Sequence, residues 1–430
     1  MLSAYKTPLA VEGTTPIATR SPLPRGPVLG WASFKLASAP KIPSVENLPF
    51  KLCTTSGRAA IYHALLQLKL PAQSIVLVPT YHCPTMVAPV ILANLQVAYF
   101  GISDDGLPNL ESIDPVTANR CKAMLVSHYF GVGTSLAKVR RWCDDRGIAL
   151  IEDCAHSYFG QAGERPIGAW GDFSTASLSK FFPVPEGGVL ASANRPIQGP
   201  DLLAPGWKAQ LKGWLDILEL AAQYQRLWGL NQLLAFVFRL KNARIGKHRQ
   251  AGNVVYSTPD LQDVDACYGD DPASSMMKVC DMARIAQQPS IASLIFKRML
   301  PRGRIIANRQ RNYADYARRF KHLQGARALF PTFGDDSSQI APYVFPLWVD
   351  DADFVYQALR TQGLPVFRWD RIWPGTPQLE DDVGPSWSRH VVQLLCHQDL
   401  DEAAIDRTAR AVLALLPSTA KPLAVCPTQC

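Results

Sequence analysis

Between residue 50 and about residue 195, short apolar runs alternate with amphipathic stretches, and this alternation limits the possible folds more than any other feature of the chain. SIVLVP, QVAYFGIS, KAMLVSHYF and IALIEDC are each short and apolar and read as strands. SGRAAIYHALLQLKL places Ala59, Ile61, Ala64, Leu65 and Leu68 at helical spacing ahead of Pro71. PTMVAPVILANL is apolar enough for a covered helix. SLAKVRRWCDDRG sets Leu136, Val139 and Trp142 on one face and ends at Gly147. Strands and helices in this order imply βαβ units, and so an α/β body whose mostly parallel sheet has helices on both faces.

A chain of 430 residues exceeds what one hydrophobic core usually serves, so a second domain is expected. The Pro-rich residues 1–48 read as an N-terminal arm, and 49–199 as the α/β body. Residues 200–275 form a basic helical insertion, 276–335 connecting helices, and 336–430 a smaller C-terminal α+β domain. In that last part APYVFPLWV reads as a strand, while DADFVYQALRTQG and DEAAIDRTARAVLALL read as helices.

With 47% hydrophobic and 19% charged residues, the make-up is that of a globular protein rather than a disordered one. The net charge of +8 is unevenly spread. The helical stretch 207–250, with a possible break near Gly229, holds Lys208, Lys212, Arg226, Arg239, Lys241, Arg244, Lys247 and Arg249 against only Asp216 and Glu219. Three roles stay open for it: packing on the body or a second subunit, lying on an anionic membrane surface, or binding substrate phosphates. No DNA- or RNA-binding motif accompanies the charge, so nucleic acid is not an expected partner. None of the ten cysteines forms a C-x-x-C pair, which predicts reduced thiols and no metal site. No signal peptide or apolar span is evident, so the cytoplasm is expected, with peripheral inner-membrane contact open through 207–250.

Four segments can carry chemistry. In GDFSTASLSKFFPVPEGGVLAS, Lys180 stands among small and hydroxylated residues; desolvation there would lower its pKa and make it a nucleophile, although the segment alone reads first as a surface loop lysine. In IALIEDCAHSYFG, Glu152 and Asp153 close an apolar strand, at the edge where parallel sheets bind ligands, or they serve as a cap or ion pair. In TTSGRAAIYHAL, Ser56 and Gly57 precede a helix whose free N–H groups would cradle a phosphate, the simpler alternative being an N-cap. In VPTYHCPTMVAPV, Tyr81 and His82 offer flat rings for stacking on a cofactor or for packing.

Taken jointly and in this order, these segments resemble the DegT/StrS-type sugar aminotransferases, a branch of the fold-type I enzymes that use pyridoxal 5'-phosphate (PLP). The resemblance runs over about 45–195 and resumes more weakly from about 280 to 416, in RIIANRQRNYADYARRF and LLCHQDLDEAAIDRTARAVL. It implies a seven-stranded, mostly parallel sheet in the large domain and an active site at a homodimer interface. It makes Lys180 the Schiff-base lysine and Asp153 the partner of the pyridine nitrogen, with His156 near the ring hydroxyl. Ser56, Gly57 and Arg58 would hold the phosphate, together with Thr175 and Ser177. Departures are visible too. Cys83 aligns best with the family's ring-stacking aromatic, leaving His82 or Tyr81 to cover the ring, and Arg58 is bulkier than the usual Thr.

The resemblance further implies ping-pong transamination, from an amino acid such as L-glutamate to a nucleotide-linked keto-sugar in polysaccharide or natural-product biosynthesis. Lys180 argues against the related dehydratases, which carry His at that position. Two alternatives stay open: a lyase or desulfurase of the same fold acting on an amino acid, and a weakly catalytic scaffolding protein of this fold.

Overall fold

The computed structural model describes residues 22–199, 201–244, 271–331 and 339–417. Seven strands form the large sheet: β1 (Phe50–Thr54), β2 (Ile75–Pro79), β3 (Gln96–Phe100), β4 (Cys121–Ser127), β5 (Ala149–Asp153), β6 (Phe173–Ser177) and β7 (Gly188–Ser192). Their spatial order is β1-β7-β6-β5-β4-β2-β3. The strands from β3 to β6 pair in parallel, whereas β7 runs antiparallel to both β6 and β1. The expected mostly parallel seven-stranded sheet is therefore present. Its parallel interior reads as continuous apolar runs because both faces are covered, with Val76, Leu77 and Val78 of β2 and Leu150 and Ile151 of β5 fully enclosed.

β6 and β7 do not stand out in the sequence. FSTAS is rich in hydroxyls, yet all five of its residues are buried. Its hydroxyls spend themselves on the backbone: Ser174 Oγ donates to the Ala191 carbonyl at 3.4 Å and Thr175 Oγ1 to the Glu152 carbonyl at 3.5 Å. β7 starts at Gly188, where a Cβ would lie 2.2 Å from the Ser56 carbonyl oxygen, so only glycine lets the strand run beside the start of helix Gly57–Gln67.

The C-terminal part builds a second, four-stranded antiparallel sheet from Ala326–Ala328, Val344–Val349, Val391–Leu395 and Val366–Phe367, in that spatial order. Helices Arg302–Arg319, Ala352–Thr361 and Glu402–Leu415 pack with it. Residues 22–28 run along this region: Leu23 N–H donates to the Gly363 carbonyl and Val28 N–H to Asp399, both at 3.0 Å.

The basic segment is two helices, Trp207–Gln223 and Asn231–Arg244, and the chain turns between them with Gln225 and Gly229 at positive φ. The first helix buries Ile217, Leu220 and Ala221 and packs with helix Ile291–Met299. The side chains of Lys241, Arg244, Lys247 and Arg249, the loop to residue 270, residues 1–21, and Cys267, Cys426 and Cys430 lie outside the described residues. The described cysteines are free thiols, most of them buried.

Two buried histidines tie loops to these sheets. His82 is wholly enclosed, with Nδ1 2.8 Å from the Pro79 carbonyl and Nε2 accepting the Trp373 N–H at 2.9 Å. His397 has Nε2 2.9 Å from the Pro24 carbonyl and accepts the Asp399 N–H at Nδ1. Burial pushes each down to about 4. An unfolded histidine titrates near 6.5, so between that value and about 4 the unfolded chain binds protons that the native chain does not. Stability is then lost as pH falls through this window. The urea midpoint should drop on acidification from about pH 7 to about pH 5, and a flat midpoint would contradict the linkage.

Candidate active site

The C-terminal ends of β5 and β6 are in register, with Asp153 opposite Thr175. Asp153 is buried and accepts the Ala155 N–H at 2.9 Å, which fixes its carboxylate against the turn that follows the strand. Lys180 lies on the turn after β6, with Nζ 5.2 Å from the centre of the Tyr343 ring. Burial lowers the Lys180 pKa, and the nearby Asp153 carboxylate opposes this. Burial likewise raises Asp153, while Lys180, the Ala155 N–H, His128 and Thr175 pull it back. Desolvation is the largest cause on both sides, so each group moves toward its neutral form.

His156 completes the cluster. It stacks on Tyr343 at 4.4 Å and packs against Trp369 at 4.8 Å. The Phe130 N–H donates to its Nδ1 at 3.3 Å, so the ring hydrogen sits on Nε2. Burial, reinforced by the Lys180 charge, holds its pKa well below the usual value and the ring neutral. Phe130 adopts φ 60°, an uncommon conformation for a bulky residue, and Gly131 follows at φ 95°. A Cβ at Gly131 would lie 2.4 Å from the Tyr343 nitrogen, so this turn is pressed onto the segment carrying Tyr343.

Beside this cluster, Ser56 caps helix Gly57–Gln67 by accepting the Ala59 N–H at 3.2 Å. The N–H groups of Gly57 and Arg58 have no acceptor within the helix and point out of its positive end. A Cβ on Gly57 would sit 3.6 Å from Ser177 Cβ, so the Ser177 hydroxyl adjoins that helix start. Ser177 Oγ lies 3.4 Å from Ser179 Oγ. The Arg58 side chain leaves the cradle: its Nε donates to the Asp281 carbonyl at 3.0 Å and its Nη2 pairs with the Asp281 carboxylate. At this position only the backbone is available to a ligand.

Lys180, Asp153, His156 and Thr175 are thus together, with Ser56, Gly57 and Ser177 at the adjoining helix start. His82 is not among them. Its ring stacks on Tyr99 at 5.6 Å and both nitrogens are engaged by backbone groups, so it is a packing residue rather than a ring cover. Tyr81 is packed among Tyr129, Phe130, Trp369 and Trp387. Cys83 stands at the N-cap of helix Pro84–Leu92, where its sulfur accepts from Thr85 Oγ1 at 3.0 Å.

Glu152 does not share the site. Its Oε1 accepts the Trp170 and Gly171 N–H groups at 2.6 Å, and its Oε2 the Gly168 N–H at 3.2 Å with His128 Nε2 at 2.9 Å. His128, Glu152 and Cys154 do bring ligand-type atoms within 4.8 Å of one another. Both carboxylate oxygens are already doubly engaged, and burial keeps the Cys154 thiol protonated, so the group is a structural brace.

Other residues of the site come from far along the chain and leave little local trace in the sequence. Tyr343, Trp369 and Arg309 surround Lys180 or His156, and only Arg309 carries any signal, through the resemblance of the segment RIIANRQRNYADYARRF.

PLP fits these groups. A half-buried amine coupled to one carboxylate suits its aldehyde, and a helix start with free Gly57 and Arg58 N–H groups beside the Ser177 hydroxyl suits its phosphate. Residues 47–198 match the DegT/DnrJ/EryC1/StrS aminotransferase family. The GDP-perosamine synthase of Vibrio cholerae is 26% identical over 170 residues, covering 38% of this chain and 46% of that protein. A putative L-glutamine:3-amino-2,3-dideoxy-scyllo-inosose aminotransferase of Micromonospora echinospora is 27% identical over 213 residues, covering 43% and 50%. The chain therefore spans about half the length of the curated relatives it matches. An aminotransferase of the same family from Brucella abortus superposes with a TM-score of 0.56 at 15% identity, covering 86% of this chain and 87% of that one. Helicobacter pylori PseC, an aminotransferase involved in the biosynthesis of pseudoaminic acid, gives 0.55 at 14% identity, covering 86% and 87%. The fold is that of the fold-type I PLP aminotransferases.

The opposed pair makes a prediction that needs no cofactor. Because Asp153 holds the Lys180 pKa up against burial, Asp153→Asn should lower it further. Amine labelling of Lys180 against pH, read by peptide mass spectrometry, should shift to lower pH in this variant. An unchanged or upward shift would show that the two groups are not coupled.

Proposed function

We propose that this chain, which carries a DegT/DnrJ/EryC1/StrS aminotransferase segment at 47–198, transfers an amino group from an amino acid to a keto-sugar, with Lys180 as its catalytic amine. The observation that carries this reading is that Lys180, on the turn after β6, and buried Asp153, at the end of β5, are close enough for each charge to act on the other. Ser56, the backbone of Gly57 and Arg58, and Ser177 would hold the PLP phosphate, with Thr175 bracing Asp153. Asp153 would pair with the ring nitrogen; a cation there would draw its raised pKa back toward the carboxylate. When bound, PLP supplies an electron sink for the carbon that exchanges its amine. Lys180 Nζ, its pKa lowered by burial, would take the proton from the donor's α-carbon and deliver it from the same atom. His156, neutral and aromatic, lends a hydrogen-bond donor at Nε2 without adding charge. Tyr343 and Trp369 keep water from the pair.

The names of the matched relatives, a GDP-perosamine synthase and an inosose aminotransferase, support a cyclic polyol or nucleotide-linked keto-sugar as acceptor. L-Glutamate is the proposed donor, and L-glutamine is the comparison arm. On addition of L-glutamate the holoenzyme should form one equivalent of 2-oxoglutarate per subunit before any acceptor is added. Lys180→Ala should abolish this, losing at least about 10³-fold in turnover. Full turnover by that variant would rule out the role given to Lys180. A homodimer belongs to the same proposal, and light scattering at assay concentration checks it.

The two basic helices have a separate assignment. Trp207 is 72% and Trp228 77% exposed, and Leu211, Leu233 and Phe236 are also exposed beside Lys208 and Arg239. No described helix is long and apolar enough to cross a membrane. Exposed tryptophans among cations suit the surface of an anionic bilayer, whereas a two-fold contact here would set like charges together. The chain should co-sediment with phosphatidylglycerol vesicles and not with neutral ones, and Leu233→Glu/Phe236→Glu should abolish this. Equal sedimentation of wild type and variant would contradict the assignment.

A further inference from the structure

The side chain of Lys180 works at the end of the large sheet, but its backbone is held from elsewhere. Arg309, on helix Arg302–Arg319, is fully enclosed. Its Nη2 donates to the Lys180 carbonyl at 2.6 Å, its Nη1 to the Pro342 carbonyl at 3.0 Å and its Nε to Gln398 Oε1 at 2.9 Å. The guanidinium also lies 4.3 Å over the Phe181 ring. Gln398 in turn donates from Nε2 to the Phe181 carbonyl at 2.7 Å. Two successive carbonyls of the Lys180 turn are therefore gripped from residues more than a hundred positions away. Gln398 is itself fixed, because its carbonyl accepts from Asn308 Nδ2 at 3.0 Å and Arg304 Nη2 at 3.2 Å.

Among the described residues, none of the oxygens that Arg309 contacts belongs to a carboxylate. Enclosing a cation among neutral dipoles is costly, and burial lowers its pKa to about 10. Core packing alone would favour an apolar residue at this place. What an arginine adds is a planar fork of donors, which can reach acceptors on three separate segments at once.

We propose that Arg309, acting with Gln398, is the positioning residue for Lys180: it makes the aim of Nζ toward Asp153 depend on the C-terminal third of the chain. The inference rests on the reading of Lys180 as the reactive amine. Its significance is that misplacing a reacting group by about 1 Å can cost on the order of a hundredfold in rate.

The test is acetic anhydride labelling of Lys180 in the full-length protein without cofactor, quantified by peptide mass spectrometry, with Lys69 as an internal reference. Arg309→Gln, Arg309→Lys and Gln398→Leu are compared with wild type, and folding is checked by circular dichroism and melting. In folded variants, Arg309→Gln and Gln398→Leu should change the Lys180 rate on the order of tenfold while Lys69 is unchanged, and Arg309→Lys should recover part of the difference. If Arg309→Gln does not fold, Gln398→Leu decides, because it removes only one grip. Wild-type labelling of Lys180 in folded Gln398→Leu and Arg309→Gln would overturn the proposal. The glutamate half-reaction of wild type separates this from the parent reading. If that half-reaction fails, the assigned chemistry fails, but the labelling comparison still decides the clamp. If it succeeds and the folded variants label normally, the clamp alone fails.

Discussion

Lys180 and Asp153 are coupled by charge at the end of the large sheet, Asp153 buried and Lys180 half-buried, and much of the surrounding structure holds the two in place. In water a lysine and an aspartate would both be charged, and their attraction would be small. Here desolvation is the dominant cause for each, pushing the amine down and the carboxyl up, and mutual attraction only partly reverses it. Each group is thus shifted toward its neutral form, and a cation arriving opposite Asp153 would draw its carboxyl back toward the charged form. That state suits the role proposed for Lys180, first as nucleophile and then as base.

Three layers hold the pair in place. The first is the register of β5 and β6, which sets Asp153 beside Thr175 at the sheet's edge. The second is the aromatic group of Tyr343 and Trp369, which adjoin strands of the second sheet, with His156 on the turn after β5. The third is the Glu152 brace, which spends a buried carboxylate on three backbone N–H groups and His128 and so holds the strand end rigid. Adjacent acidic residues on one strand thus do different work, because successive side chains point to opposite faces.

Much of this is legible in the amino-acid sequence itself. The apolar runs of β2 to β5 and the helices between them follow directly from periodicity, and Lys180, Asp153 and Ser56 stand out from their settings. FSTAS escapes because a hydroxyl-rich strand looks like a loop until its hydroxyls are seen bonded to neighbouring backbone. His82 misleads for a related reason: a flat ring at a strand end can stack or pack, and what decides is the Trp373 N–H, 291 residues away. Gln398 and Tyr343 lie beyond local reading altogether, since their meaning is in contacts between distant segments.

Whether Lys180 is the reactive amine is decided most simply by borohydride reduction of the PLP-loaded protein followed by peptide mapping. A single phosphopyridoxyl addition is expected, on the peptide containing Lys180, and it should fail to form when L-glutamate is added before the reductant. Additions scattered over several lysines, or one stable site elsewhere, would contradict the role of Lys180.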